Sequence, residues 1–90
     1  MIDPHSRPLV ASMFRLQFEQ AQDAWVLLYP EGMVKLNLPA AEILRRCDGQ
    51  RSVDDIVDEL EVAFARAPLE GDVHAFLLQA REQGWLQQGA

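Results

Sequence analysis

The chain has 90 residues, 49% of them hydrophobic, and its eight Lys and Arg against fourteen Asp and Glu give a net charge of −6. This size suits one domain, residues 1–90, whose core needs neither metal nor disulfides. The negative charge disfavours binding to nucleic acid or to anionic lipid, and no apolar run approaches the ~20 residues that cross a bilayer. Because Cys47 has no partner cysteine in the chain, we expect a cytoplasmic protein.

The first third of the chain predicts an arm followed by a small antiparallel sheet. Residues 1–8 are polar and carry two prolines, so we expect a flexible arm there. Apolar residues at 14, 16 and 18 alternate with polar ones, which indicates a strand with one buried face. A strand over residues 24–29 is apolar on both faces and is therefore expected to be central in the sheet or covered. The YPEG turn then leads into a third strand, residues 33–36, so short that one edge is expected to stay unpaired.

Helix signals follow the third strand. Asn37 can cap a helix over residues 40–47, with Pro39 in the permissive first turn. Ser52 and Asp55 have capping-box spacing at the start of a second helix. A third helix is predicted over residues 72–83, and Gly84 is placed to end it. The order predicts an α+β, winged helix-turn-helix-like domain, with three N-terminal antiparallel strands followed by three helices.

Few side chains in the chain suit catalysis. His5 lies in the predicted arm, His74 stands alone on the third helix, and Cys47 has no histidine near it in sequence. A lone cysteine of this kind is typical of a small core residue. The acidic residues of the second helix follow helical spacing without flanking histidines, which is typical of a solvated face. We therefore expect that the protein is not an enzyme and that it has no catalytic residues, no metal site and no cofactor.

A winged-helix transcriptional regulator that binds DNA is the alternative function for this predicted fold. Such domains commonly lay a basic helix in the major groove. The third helix and its lead-in, residues 70–85, instead hold Glu70, Asp72 and Glu82 against Arg81 and one neutral histidine. These charges would repel phosphate, so we expect no nucleic-acid partner.

The third helix also carries an apolar residue outside its core stripe. Leu78 lies next to His74 and Arg81 on the helical wheel, so it widens the apolar surface beyond the stripe. A broad core face is one explanation, since single exposed leucines are common. The other is a groove, in which the unpaired third strand accepts an extended peptide as an added strand beside this helix.

Four strings point to a known family. FRLQFE, VLLYPEGMVKLN, AAEILRRCDG and SVDDIVDEL occur in this order, and together they closely resemble the pyrroloquinoline quinone (PQQ) biosynthesis protein D family over residues 7–86. The resemblance implies a non-catalytic chaperone that binds a ribosomally made precursor peptide. It also implies a second partner, the radical S-adenosylmethionine (SAM) enzyme PQQ biosynthesis protein E, which crosslinks a Glu and a Tyr of that peptide.

The resemblance also implies a binding site. In the family the precursor's leader adds to the third strand and lies against the third helix. Carried onto this chain, it places the peptide on Met33, Val34, Lys35, Leu36, Asn37, His74, Leu78, Arg81 and Trp85. A small enzyme or PQQ-binding subunit is a third function class. A homodimer formed through the free edge or an exchanged arm stays open.

Overall fold

The computed structural model of the protein describes residues 1–88. Along the chain, four short strands come before three helices and one short strand follows them. The elements are β1 Pro8–Val10, β2 Arg15–Glu19, β3 Ala24–Tyr29, β4 Gly32–Lys35, α1 Leu38–Leu44, α2 Val53–Ala63, α3 Glu70–Glu82 and β5 Leu86–Gln88. The predicted α+β class, the antiparallel strands and the three helices are confirmed.

Strands β2, β3 and β4 form an antiparallel sheet in that order. Leu16 of β2, Leu27 of β3 and Val34 of β4 lie opposite one another, so they share the face that packs on the helices. Val26, on the other face of β3, is also fully buried. The prediction of a covered central strand is therefore confirmed, as is the hairpin that pairs Tyr29 with Gly32.

A second, two-stranded sheet pairs β1 with β5 and was not predicted. Each of its strands has only three residues, which is too short to show a period-2 pattern. After Gly84 the chain continues through Trp85 into β5. The three-strand prediction therefore missed one strand at each end of the described chain.

The segment expected to be a flexible arm, residues 1–8, lies against the start of α2. The carbonyl of Ser6 accepts from the Val53 amide at 2.9 Å, and that of Pro4 accepts from the Asp54 amide at 3.0 Å. These amides belong to the first turn of a helix, where no intrahelical acceptor exists. The arm thus has a local role in capping α2, while its motion in solution stays a prediction.

The helix caps agree with the sequence, whereas the helix bounds differ by a few residues. The Asn37 side chain accepts from the Ala40 amide at 2.9 Å, so α1 begins at Leu38, earlier than predicted, and it ends before the predicted residue 47. Ser52 and Asp55 form the predicted capping box. Gly84 has φ of 78°, the left-handed conformation that ends α3.

The core lies between the inner face of the larger sheet and the three helices. Its fully buried large side chains include Leu27, Leu44, Ile56 and Leu77. Cys47 belongs to this core and donates its thiol to the Ile43 carbonyl at 3.3 Å. None of the helices within residues 1–88 combines the length and the apolar character that crossing a bilayer requires.

Candidate functional site

The outer edge of β4 carries backbone groups that have no partner among residues 1–88. In an antiparallel pair, every second residue of a strand exchanges backbone hydrogen bonds with the partner strand. The N–H and C=O groups of the residues between them point away from that partner. Leu36 donates to the Trp25 carbonyl at 2.9 Å, which fixes Val34 as the next inward-bonding residue. Met33 and Lys35 therefore direct both their N–H and C=O groups outward. Four backbone groups are available for an added strand.

The free edge ends at Asn37. The Asn37 carbonyl accepts from the Ala41 amide at 3.0 Å, and its side chain caps the same helix. Its acceptors are therefore committed to α1. Of the predicted strand residues 33–37, only Met33 and Lys35 offer both a donor and an acceptor to a partner.

A groove of about 480 Å³ lies between β4 and α3. On the strand side it is lined by residues 34–37, and the start of α1 closes one end with Pro39 and Ala40. On the helix side its lining residues are spaced four, three and four apart, so they form one face of α3. These residues are Asp72, Phe76, Gln79 and Gln83.

Two aromatic side chains give the groove an apolar wall. The rings of Phe76 and Trp85 lie 6.5 Å apart at 50°, within the range of favourable aromatic pairs. The backbone of Trp85 is held at both ends, because its N–H donates to Ala80 at 3.0 Å and its carbonyl accepts from Ala11 at 2.8 Å. The wall is therefore anchored before any ligand arrives.

The structure brings some of the predicted site residues together and separates others. Val34, Lys35, Leu36, Asn37 and Trp85 line the groove. Met33 lies on the same edge through its backbone, while its side chain is 46% exposed.

The other three predicted residues, His74, Leu78 and Arg81, are not in this groove. They lie on the opposite face of α3 from Phe76, since residues 74, 78 and 81 are about half a turn away at ~100° per residue. Arg81 instead lines a small cavity of about 80 Å³ with Ile2, Ser6 and Pro8 of the arm. That face of α3 is therefore directed towards the N-terminal segment.

The four α3 residues that line the groove were not among the predicted site residues: Asp72, Phe76, Gln79 and Gln83. Phe76 belongs to the apolar stripe of α3, and it packs against the core while it also lines the groove. A helical wheel shows that Gln79 and Gln83 share its side of α3. Nothing in the sequence indicates that β4 lies on this side rather than on the side of Leu78.

The charged side chains at the opposite end of α1 are engaged with one another. Arg46 contacts Glu42 at 2.8 Å and Glu59 at 3.2 Å, and Arg51 contacts Glu59 at 2.7 Å. The hydrogen bond from Arg46 is the main reason that the pKa of Glu42 is below its usual value. The basic pair Arg45–Arg46 therefore has partners on the protein, and Arg45 also lies 4.8 Å above the ring of Trp25.

Reactive groups are scarce in the described part of the chain. Burial raises the pKa of the Cys47 thiol to about 12, so the nucleophilic thiolate does not form at neutral pH. Within residues 1–88, no three His, Cys, Asp or Glu side chains come together to hold a metal ion. The free edge of β4 beside an apolar groove is an arrangement that suits binding of an extended chain.

Comparison with known proteins identifies the family. The family model described as coenzyme PQQ synthesis protein D (PqqD) matches residues 24–86, which contain the groove and most of the core. The chain belongs to the PqqD family. The sequence resemblance to this family is therefore confirmed.

Relatives match nearly the whole chain. A protein of Pseudomonas aeruginosa strain UCBPP-PA14, named PqqA binding protein, is 51% identical over 83 residues, 91% of this chain and 90% of the relative. A protein of Methylococcus capsulatus with the same name is 40% identical over 87 residues, 97% of this chain and 94% of the relative. Family membership thus extends beyond residues 24–86 to β1 and β2.

A solved structure has the same fold. The solution NMR structure of the PqqD truncation of Methylobacterium extorquens PqqCD aligns with a TM-score of 0.79 and 25% sequence identity, covering 97% of this chain and 95% of that one. That truncation is described as a functional, stand-alone recognition element for ribosomally synthesised and post-translationally modified peptides. The present fold therefore matches one that has been determined experimentally.

Proposed function

We propose that this protein binds PqqA, the precursor peptide of PQQ biosynthesis, and presents it without catalysis to the radical SAM enzyme that crosslinks a Glu and a Tyr of the peptide. The free outer edge of β4 beside the groove is the observation that carries the proposal. The name PqqA binding protein, borne by relatives of 40% and 51% identity, supports PqqA as the ligand.

In the proposed complex the peptide adds to the larger sheet beside β4. Its backbone pairs with the outward groups of Met33 and Lys35, and every second side chain enters the groove towards Phe76 and Trp85. The main-chain bonds supply affinity, and the side chains that enter the groove supply selectivity. The peptide thus becomes the fourth strand of the β2–β3–β4 sheet.

The non-catalytic part of the proposal is supported by the chemistry of the site. The groove is lined by apolar and amide side chains and by two charged residues, Lys35 and Asp72. The one thiol of the chain is buried in the core. A protein of this kind acts by holding its peptide in an extended form that an enzyme can reach. Because the precursor is made by ribosomes, we place this function in the cytoplasm.

The proposal also includes the arrangement of the fold. The helices and the β3–β4 hairpin are arranged as in a winged helix-turn-helix domain, which here binds a peptide in place of DNA. The groove face of α3 presents Asp72 and two glutamines without Lys or Arg, which disfavours a phosphate backbone. A homodimer joined through β4 would use the same backbone groups as the peptide. Peptide binding should therefore compete with such a dimer.

An NMR titration with synthetic PqqA of Pseudomonas aeruginosa tests the proposal. We expect the amide resonances of Met33–Lys35 and of the α3 residues Phe76, Gln79 and Gln83 to shift, and a scrambled peptide of the same composition to have a much smaller effect. Saturating PqqA that leaves these resonances unchanged in the folded protein would show that the proposed function is wrong.

A further inference from the structure

A second apolar pocket lies beside the groove, where α1, α2 and α3 meet. It has a volume of about 310 Å³. Its floor is made by the buried side chains of Ile43, Leu60 and Val73, and Phe64 forms part of its rim. An apolar cavity of ~150 Å³ is large enough to take up benzene. The pocket therefore has room for an aromatic or a branched aliphatic side chain.

The rim of this pocket is fixed by Glu61. The backbone carbonyl of Glu61 accepts from the Arg66 amide at 3.0 Å, and its carboxylate accepts from the Leu69 amide at 2.8 Å. The loop between α2 and α3 is thus tied to the last turn of α2 at two points. Phe64, at the start of this loop, keeps 41% of its surface exposed. A pocket held open in this way needs little ordering when a ligand enters.

The pocket adjoins the groove. Pro39, Ile43 and Asp72 line both spaces. Pro39 belongs to the first turn of α1, directly after Asn37, where the free edge of β4 ends. A peptide paired with β4 that continues beyond Asn37 therefore passes over Pro39 and reaches the mouth of the pocket.

We propose that this pocket holds an apolar anchor of the precursor peptide, an aromatic or branched aliphatic side chain just outside the stretch that pairs with β4. This inference rests on the proposed function and adds to it a second contact and the chemical class of the residue that makes it. Main-chain pairing depends little on sequence, so discrimination among peptides comes from side-chain pockets. The anchor supplies discrimination that main-chain pairing with the two outward residues of β4, Met33 and Lys35, does not.

Two surface variants on α2 and its C-cap test the inference by calorimetric titration with synthetic PqqA of Pseudomonas aeruginosa. Phe64→Ser removes part of the pocket rim, and Val62→Ser is the matched control, because Val62 is apolar, 82% exposed and outside the pocket. We expect Phe64→Ser to weaken binding about 10-fold, the effect of losing most of the burial of one large apolar side chain. Val62→Ser should bind as the unmodified protein does.

A peptide scan identifies the anchor. Each apolar residue of PqqA is replaced by Ala in turn, and each peptide is titrated into the unmodified protein and into Phe64→Ser. For the anchor residue, combining Phe64→Ser with the Ala-substituted peptide should weaken binding no more than either change alone, because both remove the same contact.

Methyl NMR of the unmodified protein provides a measurement independent of any variant. PqqA should shift the methyl signals of Leu60, Leu69 and Val73, while those of Val10, outside both spaces, stay in place. If PqqA binds and the pocket methyls do not move, or Phe64→Ser binds like Val62→Ser, the anchor inference is wrong and the proposed function stands. If the unmodified protein binds no PqqA, the proposed function itself fails.

Discussion

Replacing Lys35 by proline tests the free edge of β4 most directly. The Lys35 amide points away from β3, and the inward hydrogen bonds are made by Val34 and Leu36. Proline removes only the outward donor at this position, and edge strands accept proline when the lost N–H faces solvent. It also restricts Val34 to extended conformations, which a strand residue already has. Lys35→Pro should therefore keep the sheet intact.

The expected loss of affinity follows from one missing hydrogen bond. A hydrogen bond contributes a net ~0.5–1.5 kcal/mol when both partners are present, but removing the donor alone leaves a peptide carbonyl buried without a partner, and the full cost is then ~1–3 kcal/mol. A total loss of about 1–3 kcal/mol corresponds to binding weakened by about 5- to 150-fold. The proline ring adds to this effect, because it occupies space that the added strand needs.

Calorimetric titration with synthetic PqqA measures the effect, and circular dichroism melting reports on the fold. Lys35→Ala is the first control, because it removes the same charge and keeps the amide. Val34→Pro is the second, because it removes an inward bond to β3 and should lower the melting temperature, which Lys35→Pro should not do. If Lys35→Pro is folded and binds PqqA as tightly as Lys35→Ala, strand addition at β4 is refuted.

Two further predictions follow from the groove and from the ion pairs. Gln79→Trp, on the exposed groove face of α3, should fill the groove and weaken PqqA binding by about 10-fold or more. Leu78→Ala, on the opposite face, should leave the affinity unchanged. Equal effects of the two variants in calorimetric titrations would contradict this placement of the groove. The lowered pKa of Glu42 predicts stability that is complete above its usual value of 4.5 and is lost as pH falls through the lower folded-state value. Melting curves should therefore show Glu42→Gln less stable than the unmodified protein at pH 7, with the difference shrinking in acid; a constant difference would contradict the assignment.

The parts of the fold that were predicted correctly have strong local signals. The alternation before β3, the PEG turn and the caps at Asn37 and Ser52 each depend on residues close together in sequence. The physical cause of each element lies within a few residues, so the sequence pattern is sufficient to predict it. The helix bounds were less accurate, because Pro39 lowers the local helix signal although the first turn of a helix tolerates it.

Strands β1 and β5 depend on pairing between distant parts of the chain. Leu9 lies opposite Gln87, and neither three-residue strand has a pattern of its own. The prolines of the arm, from which a flexible segment was predicted, are compatible with a segment whose carbonyls, rather than amides, cap α2. An X-Pro-rich segment can be ordered when its acceptors have partners elsewhere in the fold.

The candidate site was predictable on the strand side and only partly on the helix side. The edge of β4 follows from its short length and its position at the end of a hairpin. Which face of α3 borders that edge is decided by how the helix crosses the sheet, and a single sequence contains no local signal for this. Leu78 was chosen because it lies outside the core stripe, but Phe76 belongs both to the core and to the groove wall.

The short edge of β4 has a consequence for how the proposed complex can be released. Because the acceptors of Asn37 are used by α1, the strand offers four outward groups on Met33 and Lys35, at ~1 kcal/mol for each hydrogen bond. Association and ordering of the peptide cost at least ~6 kcal/mol together. Main-chain pairing alone therefore cannot hold the precursor, and side-chain contacts with the aromatic wall and the second pocket must provide the rest. An enzyme that draws a few of these side chains away would be sufficient to take over the peptide.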